Sequence, residues 1–419
     1  MSRRVGRGRA AAIRGVALAL SVGAVLFAGG GVPAPAGAQE DDGPGTGGAE
    51  VPATPVPDIQ PGERPDPASP EAGLWMRVNR IEANIRTAGN RIQDAALTDY
   101  VGSIVCKLAG PYCPDIRTYV LRVPGFNASM MPNGVMQVWS GLLLRMRDEA
   151  QLATILGHEI GHYIRRHSIQ ELLDKRQSRG FLLIFSLGVG VAGLPDLADS
   201  ALLLSEWRMA AYGRDYEREA DRLGAIRLYD AGYDPRAAPE VWGRAIRENS
   251  AAQNLAEYSL LASHPPSAER MESLAAFAEE LIGDGPPGER HVERFRAVLA
   301  PWRFQFLTDE VSRRSGRIFP LLEMLLEDDW RQGEVQYFVA ELARRFGSDD
   351  EVRDEALHLF EGACGMEGTP PELHRSLGLL YLRMKQPEAA RSAFAEYLRL
   401  RPEASDREMV RAMMTKGEK

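Results

Sequence analysis

Apolar residues first take up a regular spacing after Glu71, where Leu74, Val78, Ile81 and Ile85 fall on one face of a helix with polar residues between them. The period then changes. TYVLRV (118–123) and GVMQVWSG (134–141) are short runs rich in β-branched and aromatic side chains, which predicts two strands. Pro132-Asn133-Gly134 supplies a turn between FNASM and the second run. Asp148 followed three residues later by Gln151 has the form of a capping box, opening a helix that contains LGHEIGHYIRRHS (156–168). Residues 180–193, GFLLIFSLGVGVAG, are apolar and glycine-rich but short for a membrane span, and Pro195, Asp196 and Asp199 interrupt any extension. This run is either a buried helix or flap over a site, or a segment in peripheral contact with a membrane.

From residue 286 to 419 the pattern is almost wholly helical. Its clearest stretch, 371–404, carries Leu377, Gly378, Tyr381, Ala390, Phe394 and Pro402 at tetratricopeptide spacing, and a step back of 34 residues finds Ala356 and Phe360 in two matching places. Small residues at such positions let paired helices approach, and the aromatic ring fills the gap. Repeats of this kind present a concave surface to a partner.

The N-terminal part follows different rules. Residues 1–38 run from arginines through an apolar stretch to small residues ending Ala36-Gly37-Ala38, the order of an export signal cleaved near Ala38; an uncleaved anchor is the alternative. Residues 39–70 are dominated by Pro, Gly and acids and are expected to be a disordered lead-in.

Composition, 44% hydrophobic and 26% charged over 419 residues, is that of a globular chain long enough for more than one domain. The formal charge is −8; without the five arginines of the first 38 residues, 45 basic residues stand against 58 acidic, or −13. Nucleic acid is therefore not an expected partner. Of three cysteines, Cys106 and Cys113 are close enough for a local disulfide, which an exported chain is free to form, while Cys364 is left as a buried or partnerless thiol. No CxxC pair occurs, so neither a cysteine zinc site nor a thioredoxin-like motif is supported.

The strongest chemical signal is HEIGH. Of seven histidines, His158 and His162 lie four apart, one above the other on a helical face, where two imidazoles can close on one ion. The HExxH spacing also sets Glu159 beside the open coordination position, as a zinc peptidase requires of its general base. A third ligand has to come from elsewhere. Within YEREADRLGAIRLYDAGYDP, starting at Tyr216, Glu217 and Asp221 are again four apart, so that one can reach the metal while the other hydrogen-bonds a ligand histidine; Glu219 faces another way. His167, five residues after His162, is rotated off the ligand face and reads as structural.

Four separated segments resemble the metallopeptidase family that includes the CAAX prenyl protease, HtpX and the periplasmic β-barrel assembly-enhancing protease. FNASMMPNG (126–134) is similar to its NAxxxPxG segment, LGHEIGHYIRRHS to its zinc helix, YEREADRLG to its ExxxD helix, and SHPPSAER (263–270) to its SHPxxxxR segment. The resemblance spans about residues 73–285, and the layout, with an export signal and C-terminal repeats, is most similar to the β-barrel assembly-enhancing branch. It implies an α+β, mostly helical chain, with a zincin-like metallopeptidase domain (71–285) built on the HExxH helix and a small β-sheet. An all-α, tetratricopeptide-like helical-repeat region (286–419) follows.

The resemblance further implies one Zn2+ per chain held by His158, His162 and Glu217, with Asp221 behind them and Glu159 as the base that takes a proton from the attacking water. His264 either stabilises the oxyanion or occupies the open zinc position and keeps the enzyme latent. Arg270 is expected to pair with a carboxylate near the site, such as Asp221. Asn127, Ala128, Ser129, Pro132 and Gly134 belong to an edge strand against which an extended substrate would add as a further strand. The family's aromatic between Ala128 and Pro132 is replaced here by Ser129, Met130 and Met131, which leaves the side-chain preference open. The expected partners are unfolded or stalled envelope proteins and, through the repeats, the outer-membrane assembly machinery, with the periplasm as location. The competing expectation is a repeat-based chaperone or scaffold whose peptidase domain is latent.

Overall fold

The computed structural model describes residues 56–176, 213–251, 264, 267–313, 318–346 and 350–415. The expected signal segment, most of the lead-in and the apolar run 180–193 lie outside the described residues. The chain divides into two compact units, one reaching to Ile318 and one starting at Phe319.

In the first unit, α1 (Pro70–Thr87) starts where Ser69 Oγ accepts the Ala72 N–H at 3.2 Å and proline occupies the first turn. Helix α2 (Ala95–Ala109) is capped by Asp94, whose carboxylate accepts from Leu97 N–H, and a 3-10 turn (Gly110–Asp115) leads to β1 (Arg117–Leu121). A disulfide between Cys106 and Cys113 ties the end of α2 to this turn. Strands β2 (Ala128–Met130) and β3 (Val135–Trp139) complete a three-stranded sheet of order β1-β3-β2. β1 runs parallel to β3, pairing Arg117 with Val135 and Leu121 with Trp139, while β2 is antiparallel, pairing Ala128 with Val138 and Met130 with Met136. Central β3 is buried along its whole length. The apolar face of α1, Leu74, Val78, Ile81 and Ile85, packs on the sheet through Tyr119, Leu121, Met131, Val135 and Trp139.

Helices α3 (Ser140–Arg145), α4 (Glu149–Ile164), α5 (His167–Arg176), α6 (Arg214–Asp230), α7 (Ala237–Ala251), α8 (Ala268–Ile282) and α9 (Val292–Ser312) follow. Every residue of α4 is buried, which explains why its sequence lacks a polar face. Its cap is Asp148, whose carboxylate accepts from Gln151 N–H at 2.8 Å; Gln151 reaches back to the Arg147 N–H instead of closing the box on Asp148 itself.

Two boundaries differ from those expected of the sequence. Residues 56–69, expected to belong to the lead-in, are held against the first unit: Ile59 is buried, its N–H donates to Ile164 O at 3.0 Å, and its carbonyl accepts from the Tyr112 hydroxyl. One apolar anchor and a few backbone bonds suffice here, and composition averaged over thirty residues hides them. The first unit also continues past 285. Helix α9 belongs to it, joined by Arg294 to buried Glu149, by Glu310 to buried Arg145, and by a two-bonded Arg122–Asp309 pair at 2.6 and 2.8 Å. Helical periodicity tells that a segment buries one face, but not which core receives it.

The described residues of the second unit form helices and their connections: α10, which starts at the boundary (Ile318–Glu327), α11 (Gln332–Phe346), α12 (Asp350–Ala363), α13 (Glu372–Arg383), α14 (Pro387–Leu400) and α15 (Arg407–Thr415). α11 packs with α12 and α13 with α14 as consecutive pairs. Ala356, Phe360, Ala390 and Phe394 are buried, and a methyl group on Gly378 would stand 2.4 Å from the Phe394 ring, so only glycine admits that ring. Cys364 is exposed and forms no disulfide, in contrast to the buried alternative considered for it. No helix among the described residues is long and apolar enough to cross a membrane.

Candidate metal centre

The site is built where α4 crosses α6, and small residues allow the crossing. A methyl group on Gly224 would meet His158 N at 2.8 Å, and one on Gly161 would meet Ala220 O at 3.0 Å. Glycines inside HEIGH and YEREADRLG thus let the two backbones touch, bringing Glu217 of α6 up to the histidines of α4. His158, His162, Glu217 and His264 are all buried, and each offers a ligand atom within 4.8 Å of the others.

The polar contacts assign the protons. His158 Nδ1 is 2.9 Å from Asp221 Oδ1, so in the neutral ring this nitrogen holds the proton and donates, and Nε2 is left with the lone pair. His162 turns its own Nδ1 to His167 Nδ1 at 2.9 Å. The two Nε2 atoms then face one another at 3.0 Å, with His264 Nδ1 3.1 Å from His158 Nε2. Neutral imidazole lone pairs do not bind each other, but they bind a metal: donors 2.0–2.1 Å from a tetrahedral zinc stand about 3.3 Å apart. Charge points the same way. Three buried carboxylates, Glu159, Glu217 and Asp221, gather around the histidines with one buried guanidinium, Arg270, a grouping of negative side chains that suits a cation. Glu159 Oε1 is buried with no hydrogen bond and lies 3.4 Å from His264 Nε2. The donor set fits zinc.

Arg270, whose helix α8 is capped by Ser267, holds the carboxylates in place. Its Nε and Nη2 reach the two oxygens of Asp221 at 2.8 and 2.9 Å, and Nη1 lies 2.9 Å from Glu217 Oε2. It also stacks over Trp242, which meets the His158 ring edge-on. Burial alone would raise both carboxyls. Instead His264 and His162 pull Glu217 far down, and His158 with Arg270 pulls Asp221 below its ordinary value. For Glu159 burial wins and its carboxyl is raised, as suits a group that must accept a proton near neutrality. Burial drives His162 well down, so it is neutral and free to ligate; it would also lower His264, but the carboxylates of Glu217 and Glu159 outweigh it and carry that ring upward.

The NASMMPNG segment divides into two jobs. Trp139 N–H donates to Asn127 O and Met131 N–H to Val135 O, so Asn127, Ser129 and Met131 face β3, whereas Ala128 and Met130 turn their backbone groups outward. Met130 N–H donates to Glu159 Oε2 at 3.0 Å, tying the edge strand directly to that carboxylate. Pro132 and Gly134, expected as substrate contacts, serve the turn: Gly134 has φ +84° and a side chain there would strike Asp115 O at 2.2 Å. Asn127, Ala128, Pro132 and Gly134 are buried and Ser129 is half-buried.

Sequence reasoning missed His167. The helical frame that rotates it away ends at Ile164, and Arg166 at φ +53° reverses the chain so that α5 starts with His167 beside His162. It is fully buried, stacked on Tyr216 at 4.6 Å, with Nε2 3.2 Å from Glu219 Oε2. The left-handed residue was the missing signal, and nothing in the letters RRH marks it.

A HExxH helix, a buried carboxylate from a second helix within reach of the same ion and an edge strand hydrogen-bonded to Glu159 are the features of a metallopeptidase-class domain. Residues 92–278 match the model of Peptidase family M48, and this part of the chain is an M48 peptidase domain. It is 35% identical over 158 residues to the mitochondrial metalloendopeptidase OMA1 of Arabidopsis thaliana, covering 37% of this chain and 30% of that protein. It is also similar to the putative β-barrel assembly-enhancing protease of Vibrio cholerae, 27% identical over 220 residues, covering 49% and 45%. The longest of these matches is to the β-barrel assembly-enhancing protease of Escherichia coli K12, 26% identical over 349 residues, covering 75% and 70%. The chain spans less than half the length of the Arabidopsis and Vibrio relatives.

Proposed function

We propose that the chain is a zinc-dependent metalloendopeptidase that cleaves unfolded or misassembled envelope proteins, and that its C-terminal helices are tetratricopeptide-like repeats that dock substrate or an outer-membrane assembly partner. The observation that carries the reading is Glu159, buried beside the His158–His162–Glu217 cluster and anchored to the edge strand by Met130. The similarity to β-barrel assembly-enhancing proteases and the export-like order of the first 38 residues support the envelope as the place of action. His158, His162 and Glu217 would hold the ion, which supplies a Lewis acid that makes water acidic near neutral pH and polarises a carbonyl.

The remaining chemistry belongs to the chain's own groups. The outward backbone of Ala128 and the Met130 carbonyl pair with an extended substrate, holding its scissile bond over α4. Glu159 takes a proton from the attacking water at its free Oε1 and returns it to the leaving amine. Asp221 keeps the His158 proton on Nδ1, and Arg270 keeps Asp221 and Glu217 ionised and oriented. Backbone pairing reads little sequence, as suits a protease that selects unfolded chains.

A second reading is favoured by one contact. His264 Nδ1 lies 2.8 Å from Glu217 Oε1 and 3.1 Å from His158 Nε2, among the ligand atoms themselves. There it can act as a fourth protein ligand, closing the site in a latent chaperone or scaffold. Zinc content and cleavage of an unfolded model protein, measured on wild type, Glu159→Gln and His264→Ala, decide between them. Wild-type cleavage that Glu159→Gln abolishes without metal loss is the expected result. Cleavage by His264→Ala alone would make that histidine a latch, and no zinc in any of the three would refute the peptidase reading.

A further inference from the structure

The two ligand histidines are supported differently. His158 rests on a buried carboxylate, Asp221, itself clamped by Arg270. His162 rests on another imidazole. Its Nδ1 is 2.9 Å from Nδ1 of His167, and the rings meet edge-on at 4.9 Å and 75°. Two facing nitrogens cannot both carry protons, nor can both be bare and attract each other. If His162 offers its Nε2 lone pair to the ion, its proton sits on Nδ1, and His167 Nδ1 must accept it. The His167 proton then sits on Nε2, which points at Glu219 Oε2 at 3.2 Å. Glu219 Oε1 lies 3.0 Å from Arg165 Nε, and Arg165 reaches Asp58 at 2.9 Å.

We infer that His167, oriented by Glu219 and stacked on Tyr216, is a positioning residue that fixes the tautomer and ring plane of His162 for metal binding. The inference rests on the metal-centre reading above and adds to it a partner for the second ligand. Accepting the Nδ1 proton makes Nε2 of His162 a better donor to a cation, and outer partners of ligand histidines typically contribute 10–100-fold in metal affinity. The device depends on the reversal at Arg166, since a continuous helix would carry residue 167 off this face.

The test uses the full chain and three variants: His167→Phe, which keeps a flat ring but offers no acceptor; His167→Gln, which restores an acceptor oxygen; and Glu219→Gln. Zinc affinity is read by competition with a chelator, and ligand geometry by the visible absorption of the cobalt-loaded protein. His167→Phe should bind zinc about 10–100-fold more weakly with an altered cobalt spectrum, His167→Gln should recover most of the loss, and Glu219→Gln should fall between. Wild-type affinity and spectrum in His167→Phe would overturn the inference. Should wild type bind no metal, the metal-centre reading fails separately, and imidazole 15N shifts still decide this point. A His162 proton held on Nδ1 in wild type but not in His167→Phe supports positioning; the same tautomer in both overturns it.

Discussion

Replacing Gly224 by alanine perturbs the metal centre without touching a ligand. The added methyl would lie 2.8 Å from His158 N and 3.0 Å from both Gly157 C and His158 Cα, all backbone atoms that cannot rotate away. Ordinary contact begins at 3.4 Å, so α4 and α6 must part locally by about 0.6 Å. Overpacking of this kind costs about 1–3 kcal/mol, and alanine returns about 1 kcal/mol in helix propensity, leaving a net loss of about 0–2 kcal/mol. In a unit of this size that lowers Tm by only a few degrees, roughly 2–4 °C per kcal/mol. Function should suffer more than stability. Glu217 is two turns away on the same rigid helix, and a site tolerates about 0.5 Å of displacement before its geometry is lost. Zinc affinity is expected to fall at least about tenfold, and cleavage of an unfolded substrate with it, in a protein that still melts cooperatively. Gly102→Ala is the control: that helical glycine has open space around it, so the substitution should leave metal binding alone and raise Tm slightly. Gly224→Ala with unchanged zinc affinity and Tm would refute the claim that glycine contact sets the spacing of the ligand helices.

Two further outcomes test the scaffold. Burial would raise the Glu82 carboxyl, but hydrogen bonds from Arg117, Tyr119 and Arg86 hold it down to about 2 from 4.5. Its stabilisation is therefore complete above pH 4.5 and lost as pH falls toward 2, up to about 3 kcal/mol; urea unfolding of Glu82→Gln should show a correspondingly shallower acid limb, and an identical limb would remove Glu82 as the cause. Cys106 and Cys113 close a loop with a separation of seven residues, so converting both to serine should cost about 2–3 kcal/mol, read as a lower denaturant midpoint that reducing agent does not change further.

Much of the site was legible because its chemistry repeats with the helical period. His158 and His162, and Glu217 and Asp221, are four apart, and that spacing puts each pair on one face wherever the helix goes. Strand positions, the α1 face and the cap at Asp148 were equally local, each decided by residues within a turn or two of one another. The sequence by itself therefore determined which side chains could act together within one element. Only the tertiary structure decided what lay between elements: that Gly157, Gly161, Ala220 and Gly224 let two helices touch, that Arg270 grips Glu217 besides the Asp221 that the family resemblance had suggested, and that Met130 donates to Glu159. The same holds for α9, whose helix was plain but whose core was not, and for His167, returned to His162 by one left-handed residue. Long-range contacts depend on where the chain turns and which apolar face finds which, and no local period encodes either.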